Sequence, residues 1–264
     1  MVNVSCDIVN AKRILKGYPA TLGNDKYHNK LYFSSNEKLD LVFSGIDFSN
    51  KDILSVLSSC DQMFHFYNRG AKNVDTFDIN ALTIYYYYLR KWVIEYKKRY
   101  YPMKNINGKY ILSIIDKVNP SIALENDALF FWNELLKSSL DISNLFIFDT
   151  DFKKNRIGNL KVIRDIITSR EIVFHNIDLS ENVCLSKQYD IIYKSNISDY
   201  VNGSYNVMKT YRDNLYNMLK DDGLIISSNL CHDYNYANEF GVFSSLFNYE
   251  LLDNGRGFIY RKRR

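Results

Sequence analysis

The chain alternates between short apolar runs and amphipathic segments over most of its length. Between the runs, apolar residues recur at helical spacing, most clearly over residues 81–101, where Pro102 is expected to end the helix. Strands that alternate with helices predict a parallel sheet with helices on its faces. The predicted strands are residues 53–57, 74–77, 171–175, 189–193 and 224–228.

The end of the chain has a different pattern. Residues 243–252 and 257–261 are separated by a polar stretch that contains Asn254-Gly255, a dipeptide typical of tight hairpins. The sequence therefore predicts an α/β fold with a mostly parallel sheet and a C-terminal antiparallel hairpin.

The first fifty residues are mixed, with a predicted helix over residues 4–16 and an irregular polar stretch after it. We expect residues 1–50 to form a cap on a domain of residues 51–264, with a helical insertion near residues 103–148. The cluster Ser34-Ser35-Asn36-Glu37 fits a lid over a ligand, and equally an N-cap for a helix that begins near Glu37.

Composition narrows the function only a little. The chain has 264 residues and a formal charge of +4, with basic clusters at residues 97–99 and 261–264. These clusters form no long basic stripe, so nucleic-acid binding is not indicated, and the C-terminal cluster allows weak contact with a membrane surface. The four cysteines have no paired spacing, and Cys231-His232-Asp233 is a poor metal site, so we expect a reduced, cytoplasmic protein without a metal.

The most informative stretch is residues 52–80, which predicts a strand, a turn of small residues, a helix and a second strand. A dinucleotide pyrophosphate requires a glycine-rich turn after the first strand. This turn has no glycine and ends in Asp61, which would repel a phosphate and attract a cation. S-Adenosylmethionine (SAM) carries a sulfonium and an ammonium, and Asp78 at the end of the second strand suits the hydroxyls of its ribose. Asp61 could also be only a helix N-cap.

Together with the terminal hairpin, this interpretation predicts the Rossmann-like class I SAM-methyltransferase fold, whose sheet has seven strands. Ordinary dehydrogenase Rossmann domains lack the hairpin.

Four segments also resemble a known group. Residues 53–62, 70–74 and 77–80, together with residues 190–197, are similar to bacterial proteins related to the betaine-lipid enzyme, a SAM:diacylglycerol 3-amino-3-carboxypropyltransferase. The likeness covers residues 30–230. The betaine-lipid enzymes are longer, and Ser58, Ser59 and Cys60 stand where the group has glycine, so the resemblance bears on the SAM site more than on the acceptor.

The resemblance implies roles for individual residues. Asp61 or Gln62 would meet the ammonium of SAM, and Asp178 would accept from the adenine amino group, although a turn role is as good for Asp178. Acceptor and transferred group would meet at the end of the fourth strand, where a loop amide is the alternative for Asn196. The implied SAM-binding residues are Ser58, Ser59, Asp61, Gln62, Asp78, Ile79, Asn80 and Asp178, and the implied catalytic residues are Ser195 and Asn196.

The expected function is therefore a SAM-dependent transferase that moves a 3-amino-3-carboxypropyl or methyl group to a small-molecule acceptor, with SAM as co-substrate. Alternatives are a SAM-cleaving or cyclising enzyme and a SAM-binding sensor without turnover. Attack at either carbon of SAM is an in-line displacement that needs mainly orientation, so sequence does not distinguish the two transfers.

Overall fold

A computed structural model describes residues 3–18, 29–102, 106–148, 155–197, 201, 205–228, 236–252 and 257–263. The predicted hairpin turn at Asn254-Gly255 and the cluster Cys231-His232-Asp233 lie outside these residues.

The described elements alternate as the sequence predicts. The helices are α1 (Val4–Leu15), α2 (Leu39–Val42), α3 (Asp61–Asn68), α4 (Leu82–Lys97), α5 (Gly108–Ile115), α6 (Ala123–Leu136), α7 (Leu160–Ser169), α8 (Tyr205–Met218) and α9 (Tyr236–Phe243), with a 3₁₀ turn at Ile142–Leu145. The strands are β1 (Leu31–Tyr32), β2 (Asp52–Val56), β3 (Asn73–Asp78), β4 (Phe146–Ile147), β5 (Val173–Asn176), β6 (Tyr189–Ser195), β7 (Leu219–Ser228), β8 (Phe247–Leu251) and β9 (Gly257–Lys262).

Seven strands form one sheet in the order β5-β3-β2-β6-β7-β9-β8, and β1 pairs with β4 separately. β2 is parallel to both β3 and β6, and β6 is parallel to β7, so their carboxyl ends lie at one edge. β9 is antiparallel to β7 and to β8, as the terminal hairpin predicts. The predicted mostly parallel seven-stranded sheet with a C-terminal antiparallel hairpin is confirmed.

The chain divides into two compact units that do not follow sequence order. Unit 1 comprises residues 1–36, 57–68 and 78–176, and unit 2 comprises residues 37–56, 69–77 and 177–264. The predicted division into a cap of residues 1–50 and a domain of residues 51–264 stays a prediction.

Unit 1 is mainly helical, and α4 is its central helix. Tyr85, Tyr86, Tyr87 and Tyr88 are all buried, although four consecutive residues of a helix point in directions all round its axis. The reason is that α4 packs against α5, α6 and α7, and a helix covered on several sides can be apolar all round. Its last turn ends at Lys98 in a left-handed conformation, earlier than the predicted stop at Pro102.

Unit 2 contains most of the large sheet. The carboxyl-terminal half of β6 sends alternate side chains to opposite faces, with Tyr193 and Ser195 on one face and Lys194 on the other. The Lys194 Nζ atom lies 3.0 Å from Glu239 Oε1, which also accepts a 2.7 Å hydrogen bond from the Tyr260 hydroxyl. All three side chains are buried, so the pair compensates the charge that the strand brings into the core.

Candidate ligand-binding site

The loop after β2 has an unusual backbone conformation. Ser58 and Cys60 have positive φ angles of 44° and 72°, a region that non-glycine residues adopt at a cost of about 1–2 kcal/mol each. The Cys60 N–H donates to the Leu57 carbonyl at 2.7 Å, which closes the loop before α3 begins at Asp61. The loop thus takes glycine-like dihedral angles without glycine, and observed strain of this kind points to function.

Asp78, the last residue of β3, is held by this loop. Its Oδ2 accepts from the Ser58 N–H at 2.9 Å, and its Oδ1 accepts from the Asn80 N–H at 2.8 Å. The side chain is only 8% exposed. Burial raises the pKa of Asp78 to about 6, against the opposing effect of the two hydrogen bonds.

Each Asp78 oxygen receives one protein hydrogen bond, and a carboxylate oxygen can accept two. None of the ion pairs in the described part of the chain includes Asp78. A buried carboxylate with spare acceptor capacity can therefore bind two neighbouring hydroxyl groups.

Asparagine side chains fix the backbone around Asp78. The Asn80 amide bonds both the N–H and the carbonyl of Asn29, at 3.2 and 3.0 Å, so its polar atoms serve the protein itself. Asn176 Nδ2 donates to the carbonyls of Asp78 and Ile79 at 2.9 and 3.0 Å. Sequence reasoning did not single out Asn176, because only the end of a predicted strand marked it.

Asp61 has a different set of partners. Its Oδ1 accepts from Arg90 at 2.8 Å, and its Oδ2 accepts from the Ser35 N–H at 2.7 Å and from the Ser59 hydroxyl at 3.1 Å. Asp61 and Arg90 are both fully buried, so the charge that was predicted to repel phosphate is balanced within the protein. Contact of Asp61 with a ligand ammonium stays a prediction.

Gln62 lies beside this pair. Its Nε2 donates to the Ser35 hydroxyl at 3.4 Å, while its Oε1 is buried and has no hydrogen-bond partner among the described residues. Gln62 is thus the predicted ammonium contact that retains a free acceptor.

Residues 34–37 were predicted to form either a lid over a ligand or the N-cap of a helix. Helix α2 begins at Leu39 after Lys38 without a side-chain cap, so the N-cap alternative is wrong. Ser34, Ser35 and Glu37 are buried, and the Ser35 carbonyl accepts from Asn155 at 3.0 Å. The predicted role as a lid stays untested.

In unit 2, Glu37 gathers hydroxyl groups at the carboxyl ends of β6 and β7. It accepts hydrogen bonds from Tyr193, Ser195 and Ser228. Ser195 has a φ of 54°, and the β6–β7 register shifts between Tyr193 and Ser195, an irregularity that redirects side chains. Burial, followed by the charge of Glu37, raises the pKa of Tyr193 well above its usual value, so this hydroxyl stays a donor.

The two predicted catalytic residues are neighbours in this cluster. The Ser195 hydroxyl lies 3.2 Å from Asn196 Oδ1 and also donates to Glu37. Sequence reasoning placed Glu37 only in the lid segment, because its partners on β6 and β7 are more than 150 residues away and no local pattern connects them.

Asp178 forms a turn. Its Oδ1 accepts from the N–H and the hydroxyl of Ser180, at 2.9 and 2.6 Å, the side-chain turn that the sequence left open as an alternative. Its contact with an adenine stays a prediction.

The described residues contain neither a metal-binding cluster of His, Cys, Asp or Glu nor a membrane-spanning helix. No group of three or more His, Cys, Asp or Glu residues there could hold a metal ion. No helix in the same residues is long and apolar enough to span a bilayer.

The strand order and the terminal hairpin define the Rossmann-like class I SAM-methyltransferase fold. No family model and no curated protein matches the chain. Solved structures with some likeness include a TehB-like SAM-dependent methyltransferase from Corynebacterium glutamicum, at 10% identity over 87% of this chain and 89% of that chain, with a TM-score of 0.45. Others are a ribosomal protein L11 methylase from Lactobacillus delbrueckii subsp. bulgaricus (14% identity, 88% and 82%, 0.43) and the N-methyltransferase NodS from Bradyrhizobium japonicum (9%, 86% and 93%, 0.41).

At these identities and scores the likenesses carry no argument about activity.

Proposed function

We propose that this protein binds SAM and transfers a group from it to a small-molecule acceptor. The observation that carries the proposal is the Asp78 carboxylate at the carboxyl end of β3. Open α/β sheets bind their ligands at this edge. Asp78 is buried, retains acceptor capacity on both oxygens and is kept in place by backbone donors on either side.

A ribose fits this carboxylate. Its two neighbouring hydroxyls would donate to Oδ1 and Oδ2, which completes the hydrogen bonding of the buried charge. The energetic benefit is large because an ionised acceptor makes stronger hydrogen bonds than a neutral one.

The loop favours SAM over a dinucleotide. A pyrophosphate is held by free backbone N–H groups of the turn after the first strand. Here the Ser58 N–H donates to Asp78 and the Cys60 N–H donates to Leu57, so two of these groups are already used. The charge of Asp61 does not discriminate between the two ligands, since Arg90 balances that charge.

The acceptor is proposed to bind near Ser195 and Asn196, where Glu37 supplies a carboxylate. In the transfer, the acceptor nucleophile forms a bond to carbon, the carbon–sulfur bond breaks, and its electron pair neutralises the sulfonium. A proton leaves the acceptor, and an arrangement of a serine hydroxyl against a carboxylate suits a general base. This cluster favours an enzyme over a sensor without turnover.

The transferred group is methyl or 3-amino-3-carboxypropyl, and the resemblance of residues 53–62, 70–74, 77–80 and 190–197 favours the latter. The two transfers leave different thioethers. Methyl transfer leaves S-adenosylhomocysteine, whereas aminocarboxypropyl transfer leaves methylthioadenosine.

The test combines calorimetry and mass spectrometry on the purified full chain. We expect SAM to bind with a micromolar dissociation constant and NAD to bind far more weakly. Tight NAD binding without SAM binding would overturn the proposal. Incubation with SAM and a small-molecule cell extract should then yield one of the two thioethers, and a matched reaction with protein inactivated by heat controls for spontaneous SAM decay.

The products also separate the alternatives. Methylthioadenosine with a modified acceptor indicates aminocarboxypropyl transfer, and methylthioadenosine without one indicates cleavage or cyclisation. SAM binding with neither product in extracts from several sources would indicate a sensor.

A further inference from the structure

Arg90 is a fully buried arginine on α4 whose contacts converge on the loop after β2. One guanidinium nitrogen, Nη1, donates to the Ser59 carbonyl at 2.6 Å and to Asp61 Oδ1 at 2.8 Å. The other, Nη2, donates to the Tyr100 carbonyl at 2.9 Å. Arg90 therefore links the middle of the loop, the first residue of α3 and the segment after α4.

Aromatic rings surround the same guanidinium. Its central carbon lies 4.9 Å from the ring centroid of Phe64, 4.8 Å from that of Tyr100 and 4.5 Å from that of Tyr101. Such contacts stabilise a cation that has been removed from water, and a planar fork can use ring faces and carbonyls together. The position of the guanidinium is thus fixed from several directions.

The loop that Arg90 holds would otherwise be unfavourable. Its two left-handed residues, Ser58 and Cys60, flank Ser59, the residue whose carbonyl Arg90 binds. Glycine adopts positive φ readily, and this loop has none. The left-handed geometry also directs the Ser58 N–H to Asp78, which is the proposed ribose carboxylate.

We propose that Arg90 is a positioning residue for SAM binding, which holds the glycine-free loop in the shape that orients Asp78. Arg90 and Asp61 together take over the conformational task that glycines perform in a glycine-rich loop. Arg90 acts through Ser59 and Ser58 and does not touch the ligand. The inference rests on the proposed SAM binding.

The experiment measures SAM affinity by calorimetry and stability by thermal unfolding for the wild type and for Arg90→Lys. Lysine keeps the charge and loses the fork, so it cannot hold the Ser59 and Tyr100 carbonyls at once. We expect SAM affinity to fall at least tenfold at a temperature where the variant is folded. Adding Ser58→Gly and Cys60→Gly should restore at least half of that loss on a logarithmic scale, since glycine makes the loop shape accessible without Arg90.

Arg212→Lys is the matched control. Arg212 is also buried, and it also binds a backbone carbonyl, that of Val242 at 3.0 Å, and an aspartate, Asp213 at 2.6 Å. Arg212 lies on α8. Because sites without shared partners act almost independently, Arg212→Lys should lower the melting temperature while changing SAM affinity by less than about twofold.

Each outcome has a distinct meaning. Wild-type SAM affinity in folded Arg90→Lys, or a loss that the two glycines do not restore, would show that Arg90 is only structural and would leave the proposed function standing. A wild-type chain that does not bind SAM would overturn both.

If Arg90→Lys does not fold, Tyr101→Leu provides a second variant, because it removes one ring from the guanidinium. We expect a smaller loss of SAM affinity, with the same rescue by the two glycines. Unchanged affinity would overturn the inference.

Discussion

Asp61 and Asp78 are two buried aspartates of unit 1, and their surroundings differ. Asp61 accepts from the Arg90 guanidinium, the Ser35 N–H and the Ser59 hydroxyl. Asp78 accepts from two backbone N–H groups, and burial raises its pKa to about 6. Both were predicted to contact the ligand, and both are buried, so burial alone does not distinguish their roles.

The partners of a buried carboxylate, more than its burial, therefore indicate its role. A carboxylate paired with a guanidinium and further donors is satisfied by the protein and stabilises structure. One that is stabilised only by two N–H groups still favours additional donors, because the buried charge is incompletely solvated. Asp78 therefore suits a ligand, and Asp61 suits the support of a loop.

The greatest loss of stability is expected when the Asp61 carboxylate is removed, and it tests whether Asp61 supports the structure. Asp61→Leu leaves the buried Arg90 guanidinium without its counter-charge and should reduce the free energy of unfolding by about 3–5 kcal/mol, measured by chemical denaturation. Asp40→Asn is the control, because Asp40 pairs with Arg69 at an exposed position and should cost no more than about 1 kcal/mol.

The double variant Asp61→Leu, Arg90→Met tests whether the lost stability results from the unpaired buried charge of Arg90. Replacing both partners by apolar residues leaves no buried charge, so much of the lost stability should return. A single variant that costs less than about 1 kcal/mol would contradict the structural assignment of Asp61, since a compensated buried pair cannot lose one partner so cheaply.

The next effect tests the ligand side. Asp78→Ala should weaken SAM binding by roughly 5- to 150-fold, because a lost hydrogen bond to a charged group is worth about 1–3 kcal/mol. Calorimetry on protein with a native circular dichroism spectrum provides the measurement. Asp75→Asn is the control on the same strand, since Asp75 is bonded by Lys187 and Tyr189 and has no proposed ligand. Equal affinity in wild type and folded Asp78→Ala would leave Asp78 as a strand-end residue only.

The smallest effect is expected for the dependence of SAM affinity on pH. The ribose hydroxyls donate to the ionised form of Asp78, so SAM affinity should be constant above about pH 7 and fall below pH 6, by at most about tenfold per pH unit. Asp78→Asn should remove this dependence in calorimetric titrations between pH 5 and pH 8. An unchanged fall in that variant would assign the titration to another group.

Stability of the unliganded chain should respond with the opposite sign. Because the pKa of Asp78 is raised from 3.8 to about 6, the folded state holds this proton more tightly than the unfolded state. The contribution of Asp78 to the free energy of unfolding is therefore greatest below about pH 4 and is lost as the pH rises through 6.

The elements that sequence predicted well depend on local patterns. Strands β2 and β3 lie within two residues of their predicted bounds, because apolar runs and a polar stop define them locally. Asp78 was predicted from its place at a strand end, which follows from the alternation of strands and helices.

The missed features depend on contacts between distant residues. Arg90 and Asp61 are separated by 29 positions, and nothing in the run of tyrosines before Arg90 indicates that it turns inward. Residues 221–223 lie within β7, at a shift in the β6–β7 register between Tyr189 and Ile191, and such an irregularity depends on the pairing of distant strands. Tertiary packing likewise buries the four consecutive tyrosines at residues 85–88 of α4.

The alternation along β6 has a consequence for mutation by insertion or deletion. Because Tyr193 and Ser195 face Glu37 while Lys194 faces Glu239, removing one residue upstream would exchange the two faces of the strand end. The Lys194 ammonium would then face the hydroxyl groups around Glu37. The hydroxyls of Tyr193 and Ser195 would face Glu239, a buried carboxylate that needs a cation. A point substitution in β6 changes one face of the strand, whereas a single-codon deletion there disrupts both faces together, so this strand should retain its length in any functional variant.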